Sequence, residues 1–425
     1  MSGDGTPVPE GTFDDLCATV APLSGRFIDA GHRLYLVGGL VRDRLMGADH
    51  MPDHDLTTDA TPDRIRELVE GVADVVWLQG ERFGTVGLRV GDHAMEITTH
   101  RAEAYVGDSR KPVVRFSTDL HEDLGRRDFT VNAMAVDVAD PTTLHDPFDG
   151  RGDLDSRILR TPRSPEESFG DDPLRMLRAA RFHARYGLTP ADGLVEAARS
   201  LADRLGIVSG ERIRGELFRL LEVDDPTAGF SLLEEIDLLW RVLPEFAGLE
   251  EDARLSALAQ VATVEADPVL RLAVIAWATG GLADSATALR LSGSDAGLIV
   301  DLLEGADRIR VGGSTDGTWS DESVRRLAAA AGPILDRVVG FAGSVGVAVG
   351  DLVSALGRLR SAGDLDDLGP VLDGGEVMDL LGLEPGREVG EAMAWLTDLR
   401  LREGRMQPDE AGGRLAAWWS TRVPD

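Results

Sequence analysis

LYLVGGLVRDRLMGADHMPDHDLTT, residues 34–58, carries the clearest local pattern in the chain. Leu34 to Val37 is a short apolar run that reads as a strand. Gly38 and Gly39 let the backbone turn tightly with no Cβ in the way, and Val41 to Met46 has helical spacing. A helix that begins directly after such a turn aims unpaired N–H groups and the positive end of its dipole at whatever lies over the turn. That suits a phosphate, and Arg42 sits just inside the helix. Asp53 and Asp55 end the stretch in a segment read as extended, where residues i and i+2 share a side. Two carboxylates aimed at one point repel each other unless a divalent cation neutralises them. A Gly-Gly turn or an Asp-x-Asp pair alone is more often structural than functional. Within one strand–turn–helix–strand unit, the two together point to nucleotide chemistry.

A chain of 425 residues is long for one core and implies two to four domains. A single cysteine, Cys17, excludes a disulfide framework within the chain and any Cys-rich zinc site, and fits a reducing compartment. There is no run of 18 or more apolar residues, and MSGDGTPVPEGTFDD at the start lacks the layout of a secretory signal. The expectation is a cytoplasmic chain with no membrane span. A net charge of −30 argues against nucleic acid if averaged over the chain, because phosphate backbones are bound chiefly by Lys and Arg. Locally the sign reverses: Pro173 to Leu220 holds nine arginines against five acids, a balance of +4. Lys111 is the only lysine, so almost all positive charge is guanidinium, the group suited to bidentate phosphate contacts. The competing explanations are an arginine-biased composition and an acidic surface kept for solubility.

Residues 1–12, rich in Gly, Pro and Asp, are expected to be disordered. Thr61 and Pro62 read as N-cap and first residue of a helix through Val69, and 73–78 reads as a strand. GTVGLRV and HAMEITTH, joined by Gly91-Asp92, form an expected hairpin, and Glu96 in its second strand could complete a metal site with Asp53 and Asp55. Residues 101–118 read as a long polar loop, with Arg101, Glu103, Arg110 and Lys111 available for contacts. LGRRDFTVNAMAVD (124–137) gathers Arg126, Arg127, Asp128 and Asn132 ahead of an apolar strand. In SFGDDPLRMLRAARFHARYG (168–187), Pro173 fits the first helical position with Asp172 as N-cap, a purely structural role. Arg175, Arg178 and Arg181 recur every three residues and drift around that helix. Asp172 and Arg175 can therefore act together, whereas Arg181 must face something else. Beyond Arg185 the pattern is helical throughout, with breaks near 311–318 and 362–375 and no adjacent His-Asp pair.

VGGLVRD with DHDLTT, GERFGTVGLRV with MEITTHR, LGRRDFTVNAMA with DPFDG, DDPLRMLRAARF, and GERIRGEL stand in that order along the chain. Together they resemble the class II tRNA nucleotidyltransferases, in the branch that holds bacterial CCA-adding enzymes and poly(A) polymerases. LDGGEVMDLLGLEPGREVGEAMAWL (372–396) is also similar to the end of bacterial members. The resemblance implies an α+β fold: a polymerase β-like palm over 13–160, then an all-α neck (161–220), body (221–310) and tRNA-binding tail (311–425). It implies that Asp53 and Asp55 hold Mg²⁺ with Glu96 as a further catalytic carboxylate. Gly38, Gly39, Arg42, Arg127, Asn132, Asp172, Arg175, Arg178 and Arg181 become the nucleotide-binding set, with Asp172 and Arg175 reading the base. The implied partners are the tRNA 3′ end, CTP and ATP, with no DNA and no membrane. The implied reaction is addition of C, C and A to tRNA without a nucleic-acid template. Addition of CC or A alone, poly(A) synthesis, and a non-catalytic RNA-binding role are the alternatives. Asp171, where the family usually has Glu, and His100, where an aromatic is usual, depart from the pattern.

Overall fold

The computed structural model describes residues 5–48, 53–78, 81, 84–104, 113–312 and 318–422. These form two compact units. One runs to Gly248 and takes in Ala288–Arg290; the other comprises Leu249–Thr287 and the chain from Leu291 onward. The segments expected as head and neck, and the start of the body, fall in the first unit.

The first unit is built on a mixed eight-stranded sheet. Its strands are β1 (Gly5–Pro7), β2 (Leu34–Val37), β3 (Asp53–Thr58), β4 (Val75–Trp77), β5 (Thr85–Val90) and β6 (His93–Thr99), with two more contributed later in the chain. A separate ribbon pairs β7 (Arg101–Ala104) with β8 (Val113–Phe116), and β9 (Ala135–Asp137) and β10 (Asp140–His145) complete the main sheet. The order is β1-β10-β9-β2-β3-β6-β5-β4, antiparallel except where β3 meets β6. Helices α1 (Asp14–Asp29), α2 (Gly39–Leu45) and α3 (Pro62–Val69) pack on one face. There Phe13, Val20, Phe27 and Ile65 meet Leu34, Leu36, Leu56, Leu88 and Ile97 in the main core. Strand alternation sends Tyr35 and Val37 to the opposite face, where they meet Leu124, Ala133, Ala135 and Phe148. Thr61 caps α3 by accepting from the Arg64 N–H, with Pro62 in the first turn, as the sequence predicts.

Two expectations need correction. Gly5–Pro7, expected as part of a disordered terminus, is an edge strand paired with Thr143–His145 of β10, and Val8 is buried behind it. An edge position tolerates the missing N–H of Pro7, and the pairing is a long-range contact that local composition does not report. Residues 101–118, expected as a loop, begin and end as the antiparallel ribbon β7–β8, with Arg101 opposite Phe116. The β-branched and aromatic residues of VVRF supply strand propensity that a count of polar residues hides. Residues 105–112, including Arg110 and Lys111, lie outside the described part.

From α4 (Leu120–Gly125) and α5 (Gly150–Asp155) the first unit continues into α6 (Pro165–Asp171), α7 (Leu174–Tyr186), α8 (Leu194–Ser200) and α9 (Gly210–Leu221). Helix α7 starts one residue later than the sequence predicts, with Pro173 at its N-cap. The regular elements described in the second unit are all helices, from Glu251–Thr263 to Pro408–Ser420. One of its cores joins Leu372, Val377, Leu396, Ala411 and Leu415. Another part is fixed by Arg325 and Arg400, both buried and both paired with the carboxylate of Asp364. No described helix is long and apolar enough to cross a membrane.

Candidate active site

The parallel pair β3–β6 places Asp55 opposite Glu96 in register. Because side chains alternate, Leu56 and Ile97 enter the core while Asp55 and Glu96 emerge together on the other face, both exposed. Neighbouring strands are about 4.8 Å apart, close enough for two carboxylates to share one divalent cation. Asp53 lies two residues earlier in β3, and its side chain is outside the described part. Among the described residues no three His, Cys, Asp or Glu side chains gather as a metal site.

Above this face stands the glycine turn. Gly38 has φ +71°, a backbone conformation that favours glycine, and a Cβ there would lie 3.0 Å from Arg127 Nη1 and 4.0 Å from Asp55 Oδ2. Arg127 therefore lies against the turn and beside the first carboxylate. Its Nε is buried with no protein hydrogen-bond partner, a donor left over in a site suited to phosphate. Asp123, which the sequence reading missed, holds Arg127 from behind at 3.3 Å. It also accepts from the Arg101 N–H, Thr57 and Arg126. Burial pushes the Asp123 carboxyl up, but Arg127, Arg126 and His100 outweigh it and leave it below its ordinary value. The available signal was its place three and four residues before Arg126 and Arg127, which follow directly on α4. His100 is buried with Nδ1 2.8 Å from Thr57 Oγ1, and burial pushes its pKa below the ordinary histidine value.

Arg42 is placed differently from a guanidinium waiting for a ligand. It is buried, donates to Asn132 Oδ1, to Tyr186 Oη at 2.7 Å and to Asp43 at 2.8 Å, and stacks 4.3 Å from the Tyr186 ring. Asn132 in turn donates to Asp128 at 2.9 Å, and Asp128 takes two bonds from Arg178. Burial pushes the Asp128 carboxyl up, yet Arg178 and the bonds from Asn132 and Arg178 hold it well below the usual carboxylate range. Arg178 also reaches Glu216 of α9, where Arg181 and Arg219 bind at 2.9 and 2.8 Å. Arg42, Asn132, Asp128, Arg178 and Glu216 thus form one charge-assisted chain from the glycine-turn helix to α9. Arg178 and Arg181 were expected at the nucleotide, and the structure has them on Glu216. That carboxylate belongs to GERIRGEL but was not singled out as a partner.

Asp172 joins α6 to α7. Its Oδ1 accepts the Leu174 N–H at 3.2 Å, a capping-type bond, and its Oδ2 accepts from Arg212 of α9 at 2.9 Å. Arg175 instead donates to Ser168 Oγ at 2.9 Å and to the Arg126 carbonyl. The guanidinium that pairs with Asp172 is therefore Arg212.

Two carboxylates on the central parallel strands, a left-handed glycine turn with an arginine over it, and a helical continuation define a nucleotidyltransferase palm with its extensions. Residues 34–160 match the family described as the poly A polymerase head domain. Residues 187–249 match a family described as a probable RNA and SrmB-binding site of polymerase A. A CCA-adding enzyme of Staphylococcus aureus is 38% identical over 230 residues, 54% of this chain and 56% of that protein. The matched region thus spans about half the length of that curated relative. The crystal structure of the Bacillus stearothermophilus CCA-adding enzyme in complex with CTP matches with a TM-score of 0.76 at 26% identity, over 97% of this chain and 99% of that one. The Thermotoga maritima CCA-adding enzyme complexed with tRNA shares the fold, with a TM-score of 0.64 at 19% identity over 97% of both chains. The chain is thus similar, in its head and neck by sequence and over nearly its whole length by fold, to the nucleotidyltransferases of the poly(A) polymerase and CCA-adding branch.

Proposed function

We propose that this chain adds C, C and A in turn to the 3′ end of tRNA, using CTP and ATP and releasing pyrophosphate. The observation that carries the reading is the in-register pair Asp55 and Glu96 beside the Gly38 turn, with Arg127 lying against that turn. In each step the terminal hydroxyl oxygen of the tRNA bonds to the nucleotide α-phosphorus. The bond from that phosphorus to pyrophosphate breaks, and the hydroxyl proton is released. Asp53, Asp55 and Glu96 would hold Mg²⁺, since carboxylate oxygens are the donors this hard cation takes. When bound, the metal supplies the charge that activates the hydroxyl and steadies the leaving pyrophosphate. Arg127, backed by Asp123, neutralises the triphosphate, and the Gly38 turn lets the backbone come close to it. Arg42, Asn132, Asp128 and Arg178 form the charge-assisted chain that braces the glycine-turn helix against α9. Asp172 reads the base: cytosine N4 and adenine N6 are donors to its carboxylate, whereas uracil and guanine turn a carbonyl towards it. Arg175 steadies the turn that carries Asp172 through Ser168 and the Arg126 carbonyl, and the neck and the helices beyond 310 take up tRNA. A cytoplasmic location suits a tRNA substrate.

The test is to supply tRNA lacking its CCA end, Mg²⁺, and CTP and ATP singly and together, and to read 3′-end length. Two additions with CTP and a third with ATP are expected. Arrest after CC, addition of A only to tRNA already ending in CC, open-ended growth on ATP, or no addition would each overturn the proposal.

A further inference from the structure

Helix α9 grips the base-reading segment from two points one helical turn apart. Glu216 takes Arg178 and Arg181 of α7, and Arg212, four residues earlier on the same face, takes the Asp172 carboxylate at 2.9 Å. The backbone around Asp172 is secured separately. Arg204 donates to the Gly170 carbonyl at 3.1 Å, and Arg175 ties the end of α6 to the Arg126 carbonyl. What the backbone leaves free is rotation of the carboxylate about its own bond. One oxygen, Oδ1, is held by the Leu174 N–H; the other, Oδ2, is held by Arg212. A carboxylate oxygen has two acceptor positions, so Oδ2 can receive Arg212 on one side and still face a nucleobase amino group on the other.

We infer that Arg212 is a specificity-determining positioning residue: it fixes the plane of the Asp172 carboxylate so that CTP and ATP are preferred over UTP and GTP. The inference rests on the proposed base-reading role of Asp172. Arg212 acts through that carboxylate and makes no contact with the base. Both partners keep solvent exposure, 55% for the Arg212 side chain and 30% for Asp172, so salt screens the pair. Discrimination therefore falls as ionic strength rises. Comparing CTP with UTP on the same tRNA cancels the salt dependence of tRNA binding itself.

The experiment measures kcat/KM for CTP and UTP with wild type, Arg212→Ala, Arg212→Gln, Arg212→Lys and Asp172→Ala, at low and high salt, with melting temperature taken on the same samples. Arg212→Ala is expected to lower the CTP-to-UTP ratio about fivefold, the worth of a partly exposed ion pair. It should also remove the salt dependence of the ratio, while Arg212→Lys restores most of both. Arg212→Gln gives the same reading should the alanine variant fold poorly. If Asp172→Ala loses selectivity and the Arg212 variants do not, the base-reading role stands and this inference falls. If neither loses it, the base-reading role itself is wrong. A uniform loss for both nucleotides with the ratio kept, or tighter CTP binding in Arg212→Ala, also overturns the positioning role.

Discussion

Asp128→Asn tests the chain of charges that runs between Arg42 and Glu216. Asp128 is 8% exposed and accepts from Asn132, Arg178 and its neighbouring Phe129 N–H. Neutralising it leaves Arg178 with only the 3.4 Å contact to Glu216, and leaves the Asn132 amide without its charged acceptor. Breaking a buried ion pair from one side costs about 3–5 kcal/mol. The Arg178 side chain keeps 28% exposure, so water recovers part of the loss and about 3 kcal/mol is expected. For a unit of this size each kcal/mol shifts Tm by about 2–4 °C, which gives a drop of roughly 6–12 °C. The loss has a pH signature. The folded carboxyl is held below its unfolded value, so its stabilisation is fully present above the unfolded pKa and is lost as pH falls through the folded one. The gap between wild type and variant should therefore be constant from about pH 5 to 8 and shrink below about pH 4. Thermal melts across this range, with Arg178→Gln and the double variant to close a cycle, measure it. A shift under about 1 °C at pH 7, or a gap that widens on acidification, would refute the argument.

Asp55→Asn and Asp53→Asn should each abolish nucleotide addition while leaving circular dichroism unchanged and tRNA affinity within a few-fold, measured by filter binding; equal loss of tRNA binding would count against the metal role. Gly38→Ala should raise the KM for nucleotide and cost about 1–2 kcal/mol in chemical denaturation, because the new methyl meets both a left-handed backbone and the Arg127 guanidinium; unchanged kinetics would detach Arg127 from triphosphate binding. Removing Ala104 to Ser109 should preserve two C additions and impair the terminal A on a sequencing gel, since this segment, the last residue of β7 and the chain that follows it, is our candidate for the switch to ATP; full CCA addition would rule that out.

Local sequence was enough for the strand–turn–helix–strand unit, its glycine turn, the hairpin that carries Glu96, and the mainly helical character beyond Arg185, which the two-residue strand Thr189–Pro190, paired with Ile158–Leu159, interrupts. These rest on local periodicity or on a backbone conformation that few residues other than glycine adopt. Its place in that hairpin made Glu96 a candidate to join Asp53 and Asp55, and no more. That β6 runs parallel to β3 and sets Glu96 opposite Asp55 was decided by the tertiary structure, because register between strands that are not joined by a hairpin depends on burial of the whole sheet. The same holds for Gly5–Pro7, a strand only because β10 offers an edge. The arginines show the limit most clearly. Their spacing on α7 could be read, but not that Glu216 claims Arg178 and Arg181, that Asn132 and Tyr186 claim Arg42, or that Arg212 and not Arg175 pairs with Asp172. A guanidinium is long and reaches acceptors many residues away, and a buried one must be paired. Its partner is chosen by which carboxylate the packed helices bring within reach.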